Sequence, residues 1–556
     1  MLYYWDKITY EDDGVTPKLV GAIRSNFTDP RLTQTYFKKQ NVNLTAILTY
    51  DKKIGTDHTL NVLAGLTKET YEGEGFLAYR RNYISPAIDQ LFAGGLDGQN
   101  TNGNAYDRPR LGYYGRAQYN YKEKYLAEFV WRYDGSYMFA EDHRFGFFPG
   151  ILLGWNISNE DFFQVKFINY LKLRASYGQM GNDRIVFNDV LQEFRYLSTY
   201  SFGRYPINGA VATTLTETAL ENPLVTWEEA NNFNVGLDAS LFNNKVDLVM
   251  EFFKNKRDLL FITNEAQTPA SAGITLPPIN AGQLDNTGFE MAVNYNGKFG
   301  NGWVFKAGIN GGYAKNTVVK VPEIAGAPEY QLQKGHPFEA YLVYKSAGVF
   351  RDQEDINKNT IDYSDVTGTL IPGDMKFEDV NGDGKIDGDD RVRLDKNLVP
   401  TLNYGITFEL RYKSFDLNIL FQGASGAAIR IQTESGDIGN FLKYSYDHRW
   451  SIENPSSEHP RLASRGDTYY TGGAYGNNTY YLFDKNYLRL KNLELGYNVP
   501  SSILSKAGIS ALRFFFNGLN LFTIDKMKVY DPEATVDSGV FYPQARVLNA
   551  GLSLTF

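Results

Sequence analysis

From Tyr404 to Tyr412 every second residue is apolar: Tyr404, Ile406, Phe408, Leu410 and Tyr412 share one parity, while Gly405, Thr407, Glu409 and Arg411 are small or polar. This alternation suits a strand, whose side chains point to opposite faces in turn, and not a helix, whose apolar stripe returns every three or four residues. The next segment repeats it, with Phe415, Leu417, Ile419 and Phe421 on one face and Asp416, Asn418 and Gln422 on the other. Only Lys413 and Ser414 lie between them, so the pair reads as a tight hairpin. Leu111–Tyr121 and Tyr125–Tyr133 make a second pair, which sets Tyr113, Ala117, Tyr119, Ala127, Phe129 and Trp131 against Arg116, Gln118, Glu128 and Arg132. A third turns at Asn243 and Asn244, residues that tolerate positive φ.

Strands of this kind are expected at 42–50, 59–68, 111–121, 125–134, 147–157, 168–178, 233–242, 246–254, 286–297, 303–314, 403–412, 415–423, 487–497, 511–522 and 548–556. With one more ascending strand near the start, the total is about sixteen. With the C-terminus placed on the periplasmic side, the short turns fall on one side of the sheet. The long connections (69–110, 179–232, 255–285, 315–402, 424–486 and 523–545) fall on the other. An outer-membrane barrel segregates its loops in this way, and a soluble sandwich has no reason to. The chain end adds to this: Leu548, Ala550, Leu552, Leu554 and Phe556 alternate with Asn549, Gly551, Ser553 and Thr555, and the last residue is an aromatic suited to an interfacial girdle. An ordinary edge strand is the competing reading of that segment alone. The expected fold class is all-β, an antiparallel transmembrane β-barrel.

Composition agrees. Tyr (40), Phe (37) and Gly (52) dominate the 556 residues without a change of character along the chain, an all-β signature. The net charge of -8 carries no basic patch of the kind that tracks a phosphate backbone, so no nucleic acid partner is expected. The absence of cysteine removes disulfides, thiol catalysis and thiolate metal sites. The apolar cluster Ile151, Leu152 and Leu153 is far too short for a spanning helix. The opening Met-Leu-Tyr-Tyr-Trp-Asp has no basic n-region or apolar h-region, so either the protein is cytoplasmic or its front is missing.

Several stretches carry a family resemblance. They are Leu171–Asn182, Pro372–Asp387, Tyr487–Tyr497 followed by Val499 and Pro500, Arg449-Trp450 before Glu453-Asn454-Pro455, and Phe516–Phe522. In these the chain resembles the SusC/RagA family of TonB-linked outer-membrane transporters of Bacteroidota, in family order from about residue 40 to the end. The resemblance implies a 22-stranded barrel closed by an amino-terminal plug and engaged by TonB through a periplasmic box. It also implies import of oligosaccharides or peptides, with a SusD-like surface lipoprotein as a lid. No signal peptide, TonB box or plug is present, and about six strands are wanting against that pattern, so the expectation is a carboxy-terminal fragment. Unpaired sheet edges are not tolerated in lipid, so a sixteen-stranded piece is not expected to work as a transporter alone.

One segment has metal chemistry. Asp379-Val-Asn-Gly-Asp-Gly-Lys-Ile-Asp-Gly-Asp-Asp390 fits a calcium loop, with side-chain oxygens from Asp379, Asn381, Asp383, Asp387 and Asp390, the carbonyl of Lys385, and Gly384 at the sharp turn. Asp390 stands where an EF-hand has a bidentate Glu, a dockerin-like departure. An acidic turn without metal is the plainer alternative. A structural calcium ion tying down the 315–402 excursion, on the extracellular side, is expected.

No catalytic constellation appears, and the protein is not expected to be an enzyme. The five histidines, His58, His143, His336, His448 and His459, are scattered, and no His-Glu-x-x-His, Walker A or Gly-x-Ser-x-Gly pattern occurs. His448, between Asp447 and Arg449 and near Trp450, reads as a solvated cluster before it reads as an acid-base site. Tyr469, Tyr470, Tyr475, Tyr480 and Tyr481 are suited to stacking on sugar rings, to packing within their loop, or to meeting a lid protein. Three functions fit: TonB-dependent import, a passive porin-like channel, and a calcium-stabilised surface β protein that binds glycan.

Overall fold

The computed structural model describes residues 2–10, 17–22, 30–83, 87–187, 189–207, 209–262, 277–431, 442–463, 467, 473–504, 508–527, 529–535 and 541–556. Fifteen strands form one sheet in which each strand neighbours its successor in the chain. They are β1 (Arg31–Ile54), β2 (His58–Arg81), β3 (Gly95–Tyr121), β4 (Tyr125–Ser136), β5 (Phe145–Asn156), β6 (Ile168–Asn182), β7 (Glu228–Leu241), β8 (Val246–Ile262), β9 (Ile279–Phe299), β10 (Trp303–Lys320), β11 (Leu402–Tyr412), β12 (Phe415–Ser425), β13 (Tyr487–Asn498), β14 (Ala511–Asp525) and β15 (Val547–Thr555). Each expected segment from 42–50 to 548–556 lies on one of them. The further strand expected near the start is not in this sheet: Leu2–Tyr10 and Pro17–Ala22 pair with each other instead. Strands so near in sequence close cheaply on one another. Among the described residues no helix is long and apolar enough to cross a membrane.

The chain divides into two compact units, one of residues 1–48, 65–113 and 134–137 and a larger one of residues 49–64, 114–133 and 138–556. In the smaller, Tyr36 stacks on Phe76 at 5.4 Å and Tyr71 on Tyr106 at 5.7 Å. The larger holds every site described below.

Turn chemistry sets one end of the hairpins. Lys413 takes φ 51°, and Phe242, Asn243 and Asn244 all take φ between 55° and 60°, the left-handed region that asparagine enters most easily. The opposite ends are longer than the alternation suggests: β2 runs on to Arg81, β3 starts at Gly95 and β8 reaches Ile262. Apolar alternation marks only the part of a strand that meets an apolar medium, while backbone pairing continues past it into water.

Register then sorts the side chains. Paired residues share a face, so Phe299 opposite Trp303, Trp303 opposite Tyr412, Tyr412 opposite Phe415, Phe415 opposite Tyr497, Tyr497 opposite Phe514 and Phe514 opposite Leu552 make one row across seven strands. Trp303 and Tyr412 stack with centroids 4.0 Å apart. On the same face lies a mid-strand row of Ala239, Leu248, Val293, Ile309, Ile406 and Phe421. The opposite face carries Lys306, Glu409, Asn418, Glu494, Asn517 and Asn549 in one row. Large apolar side chains of the first face stand open, including Phe514, Phe415 and Ile309, as a surface made for lipid requires.

An arginine at position 309 sits on the apolar face, so Ile309→Arg should cost about 2–4 kcal/mol in a bilayer. Asn310→Arg, one residue along on the polar face, should change stability by no more than about 0.5 kcal/mol. Urea unfolding of the full-length protein in phospholipid vesicles checks both; equal losses would contradict the assignment of faces.

Candidate functional site

The polar face is organised by arginines. Arg174 on β6 reaches Asp238 on β7 at 3.4 Å and Glu251 on β8 at 2.6 Å, and Asn234 donates to Glu251. Arg513 on β14 binds Asp416 on β12 at 2.6 Å and Glu494 on β13 at 2.7 Å, with Asn498 donating to Asp416 at 2.8 Å. Opposite charges on one face, paired across nearby strands, stabilise the sheet through cross-strand contacts. Cavities lie along this face. One of about 400 Å³ includes Gln118, Glu128, Lys172, Arg174 and Asn234 in its lining, and one of about 700 Å³ includes Lys306, Glu409, Asp416 and Arg513.

At the loop end Arg489 of β13 is almost fully buried. Its guanidinium binds Asp531 at 2.8 Å, Thr523 Oγ1 at 2.9 Å and Glu533. This fixes the β14–β15 connection to the polar side of the sheet, since Arg489 shares a row with Gln422 and Gly405.

The two longest excursions, 321–401 and 426–486, fold together into one module. Its core joins Phe350, Tyr363, Val366, Met375, Phe377 and Ile386 from the first to Ala463, Ala474, Tyr475 and Tyr481 from the second. Backbone bonds tie the segments: Val349 N–H to the Ser457 carbonyl at 2.9 Å, Tyr344 N–H to Asn477 at 3.0 Å and Arg461 N–H to Gly373 at 2.8 Å. Gly373 takes φ +95°, and a Cβ there would lie 2.7 Å from the Arg461 Cβ, so this crossing needs glycine on both counts. Asn478, with no exposed surface, donates to the carbonyls of Ala474 and Tyr475 at 2.7 Å and accepts from Tyr480 N–H at 2.9 Å.

The module also buries an ion pair. Asp374, fully buried, accepts from Arg461 Nε at 2.7 Å and from Ile371 N–H at 2.9 Å, and Arg461 also binds Asp467 at 2.9 Å. Burial pushes the Asp374 carboxyl above its ordinary range, against the pull of the Ile371 N–H and Arg461. Elsewhere in the module, Asp362 is held below its ordinary range by the N–H and hydroxyl of Ser364.

The acidic loop is packed into this module. Gly382 and Gly384 take φ of +76° and +83°, supplying the sharp turn. Ile386 is fully buried in the core and its N–H bonds the Asp362 carbonyl at 2.8 Å, while Asp362 N–H returns to Gly384 at 2.9 Å. The expected ligand side chains hold the loop's own backbone. Asp379 accepts from Gly382 N–H at 2.7 Å and Gly384 N–H at 2.9 Å, Asn381 from Asp383 N–H at 3.1 Å, Asp383 from Lys385 N–H at 2.9 Å, and Asp387 from Asp389 N–H at 2.8 Å. Asp390 is fully buried and accepts from Val380 and Asp387 N–H, both at 2.8 Å. Each carboxylate oxygen keeps a second lone pair. Among the described residues no three carboxylate or imidazole side chains converge as a metal centre.

The structure decides between the alternatives left open for the loop tyrosines: Tyr475 and Tyr481 are buried in the module core and Tyr480 packs against it, so these rings hold the loop together. Tyr469 and Tyr470 lie outside the described residues. His448 is exposed, as a solvated cluster requires, and its ring lies 5.2 Å from that of His459, eleven positions along the chain, a pairing invisible without the fold. Trp450 donates from Nε1 to the Arg351 carbonyl at 2.8 Å, and Arg449 stacks on Tyr446.

With this geometry in hand, the chain can be set beside known proteins. The family model described as TonB dependent receptor-like, beta-barrel matches residues 3–521. The chain belongs to this family. Members are outer-membrane proteins, and the apolar face accordingly meets lipid. The chain is 30% identical over 541 residues to TonB-dependent receptor P3 of Formosa agariphila, covering 92% of this chain and 52% of that protein. It is 26% identical over 544 residues to TonB-dependent receptor SusC of Bacteroides thetaiotaomicron, covering 93% of this chain and 50% of that one. The chain thus spans about half the length of the curated relatives it matches. Its fold is similar to that in the structure of the RagAB peptide transporter, with a TM-score of 0.72 and 22% identity over 95% of this chain and 56% of that one. The SusC/RagA resemblance and the all-β barrel expected from alternation are both borne out.

Arg461→Met would leave Asp374 buried without its cation, and the module should lose about 3–5 kcal/mol. The double variant Arg461→Met with Asp374→Asn should recover much of that. Limited trypsin digestion of the full-length protein reads the effect; a digestion rate unchanged in the single variant would show the pair to be dispensable.

Proposed function

We propose that this protein is the wall and outer surface of a TonB-dependent importer for oligosaccharides or peptides. The observation that carries the reading is the two-faced sheet, an apolar row from Phe299 to Leu552 backed by the polar row from Lys306 to Asn549. The apolar face meets outer-membrane lipid, and the polar face lines the route of a hydrophilic solute. Energy comes from TonB through the part of such proteins that this chain does not span. The loop module faces outward and is the docking surface for a SusD-like lipoprotein. Its preformed core supports this, since a partner binds a rigid surface at a lower ordering cost than a floppy one. The likeness to the RagAB peptide transporter supports peptide as a substrate class, and the SusC/RagA resemblance of the sequence supports oligosaccharide beside it.

Within the module, Asp379, Asn381, Asp383, the Lys385 carbonyl, Asp387 and Asp390 would hold a structural calcium ion. The twelve-residue spacing, the glycine turn and the buried Ile386 pairing with the Asp362 segment support it. Calcium would draw the loop oxygens inward and add a cross-link to a segment already tied to the Asp362 segment and the module core.

Uptake by cells carrying the full-length protein should stop when an uncoupler collapses the proton-motive force. Uptake that persists identifies a passive channel, and recovery of the protein without detergent identifies a soluble glycan binder. Calorimetric titration of the full-length protein with calcium chloride should give a binding isotherm that Asp383→Ala weakens or abolishes. A flat trace in both removes calcium from the description without touching the transport reading.

A further inference from the structure

Outside the acidic loop, the module brings two imidazoles together. His448 ends the short helix α1 (Lys443–His448) and His459 lies in the return segment beside Pro460. Tyr444 packs against both rings, at 4.5 Å from His448 and 6.2 Å from His459. Each ring is oriented through Nδ1. His448 Nδ1 lies 2.8 Å from the carbonyl oxygen of Tyr444, and since a carbonyl only accepts, Nδ1 is the donor and Nε2 is the nitrogen left for a metal ion. His459 Nδ1 lies 2.8 Å from Tyr480 Oη, which is itself part-buried and packed against the module core. A histidine whose Nδ1 is engaged by an oxygen, with Nε2 left to coordinate, is the arrangement that orients metal-ligating imidazoles.

The spacing suits a shared ion. Two imidazoles that bind one tetrahedral zinc through ring nitrogens at about 2.0 Å have their centroids roughly 5 Å apart. Here they are 5.2 Å apart, with planes inclined by 53°. His448 is exposed, so an ion and its remaining waters can reach the pair. Glu458, next to His459, adds negative charge at the pair, while Asp447 is paired with Lys443 at 2.5 Å.

We propose that His448 and His459 together bind one divalent transition-metal ion of the zinc class through their Nε2 atoms, with water completing the tetrahedron. The ion clips the helix to the return segment. Imidazole prefers zinc, copper and nickel over calcium, so this site and the acidic loop do not compete for one cation.

Calorimetric titration of the full-length protein with zinc chloride tests it. The wild type should bind one equivalent through this pair, and His448→Phe and His459→Phe, which keep the ring packing but remove the nitrogens, should each abolish that binding. Tyr480→Phe, which removes only the orienting oxygen, should weaken it about tenfold or more. Asp383→Ala should leave it intact. Cobalt(II) added to the unaltered protein should develop the intense visible absorption of a tetrahedral nitrogen site, a readout that needs no variant. No zinc uptake by the wild type, an unchanged isotherm in either Phe variant, or only octahedral cobalt spectra would each overturn the proposal.

Discussion

Everything in this protein answers to the absence of water in a bilayer. A peptide N–H or C=O left unpaired in hydrocarbon costs several kcal/mol, so a chain that crosses with strands must pair each one with its neighbour. The meander in which every strand hydrogen-bonds its successor meets this demand for every strand between the two at its edges. Once the backbone is satisfied, the two faces are free to serve different solvents, and the period of two assigns every side chain to one of them. The apolar belt and the charged inner row are therefore two results of one register.

Outside the membrane the constraint relaxes and a different physics takes over. The long connections are in water, where exposed backbone groups are satisfied by solvent and ordering must be driven by apolar burial. Two excursions far apart in sequence meet this requirement by sharing a core around Phe350, Tyr363, Met375, Tyr475 and Tyr481. Within it, Asp374 with Arg461 forms a buried charge pair, and Asn478 is a fully bonded buried amide. Such groups specify one arrangement because any slip leaves a polar atom unpaired. A module built in this way has one fixed arrangement of its surface.

The contrast between hairpin ends shows how far residue pattern reaches. At the turn ends, Lys413-Ser414 and Asn243-Asn244 announce themselves, because a tight turn demands particular φ values and few residues supply them. At the loop ends, β2 and β3 continue well beyond the apolar alternation through residues such as Glu72, Gly73 and Thr101, because pairing in water needs no greasy face to mark it. The sharp turn of the acidic loop was legible from its glycine, and Gly384 does take a positive φ, but the burial of Ile386 was not. Nor was the loop's embedding against Asp362, because nothing in either segment names the other.

Sequence by itself determined the strand period, the register at the short turns and the separation of short from long connections, since each depends on residues close together in the chain, and its lack of cysteine excludes thiol chemistry. Only the tertiary structure decided that Tyr475 and Tyr481 are core, that Arg489 is sealed beneath Asp531 and Glu533, and that His448 meets His459. Those outcomes depend on contacts between distant segments with no shared period, where the free energy of burial is known only once both partners are in place.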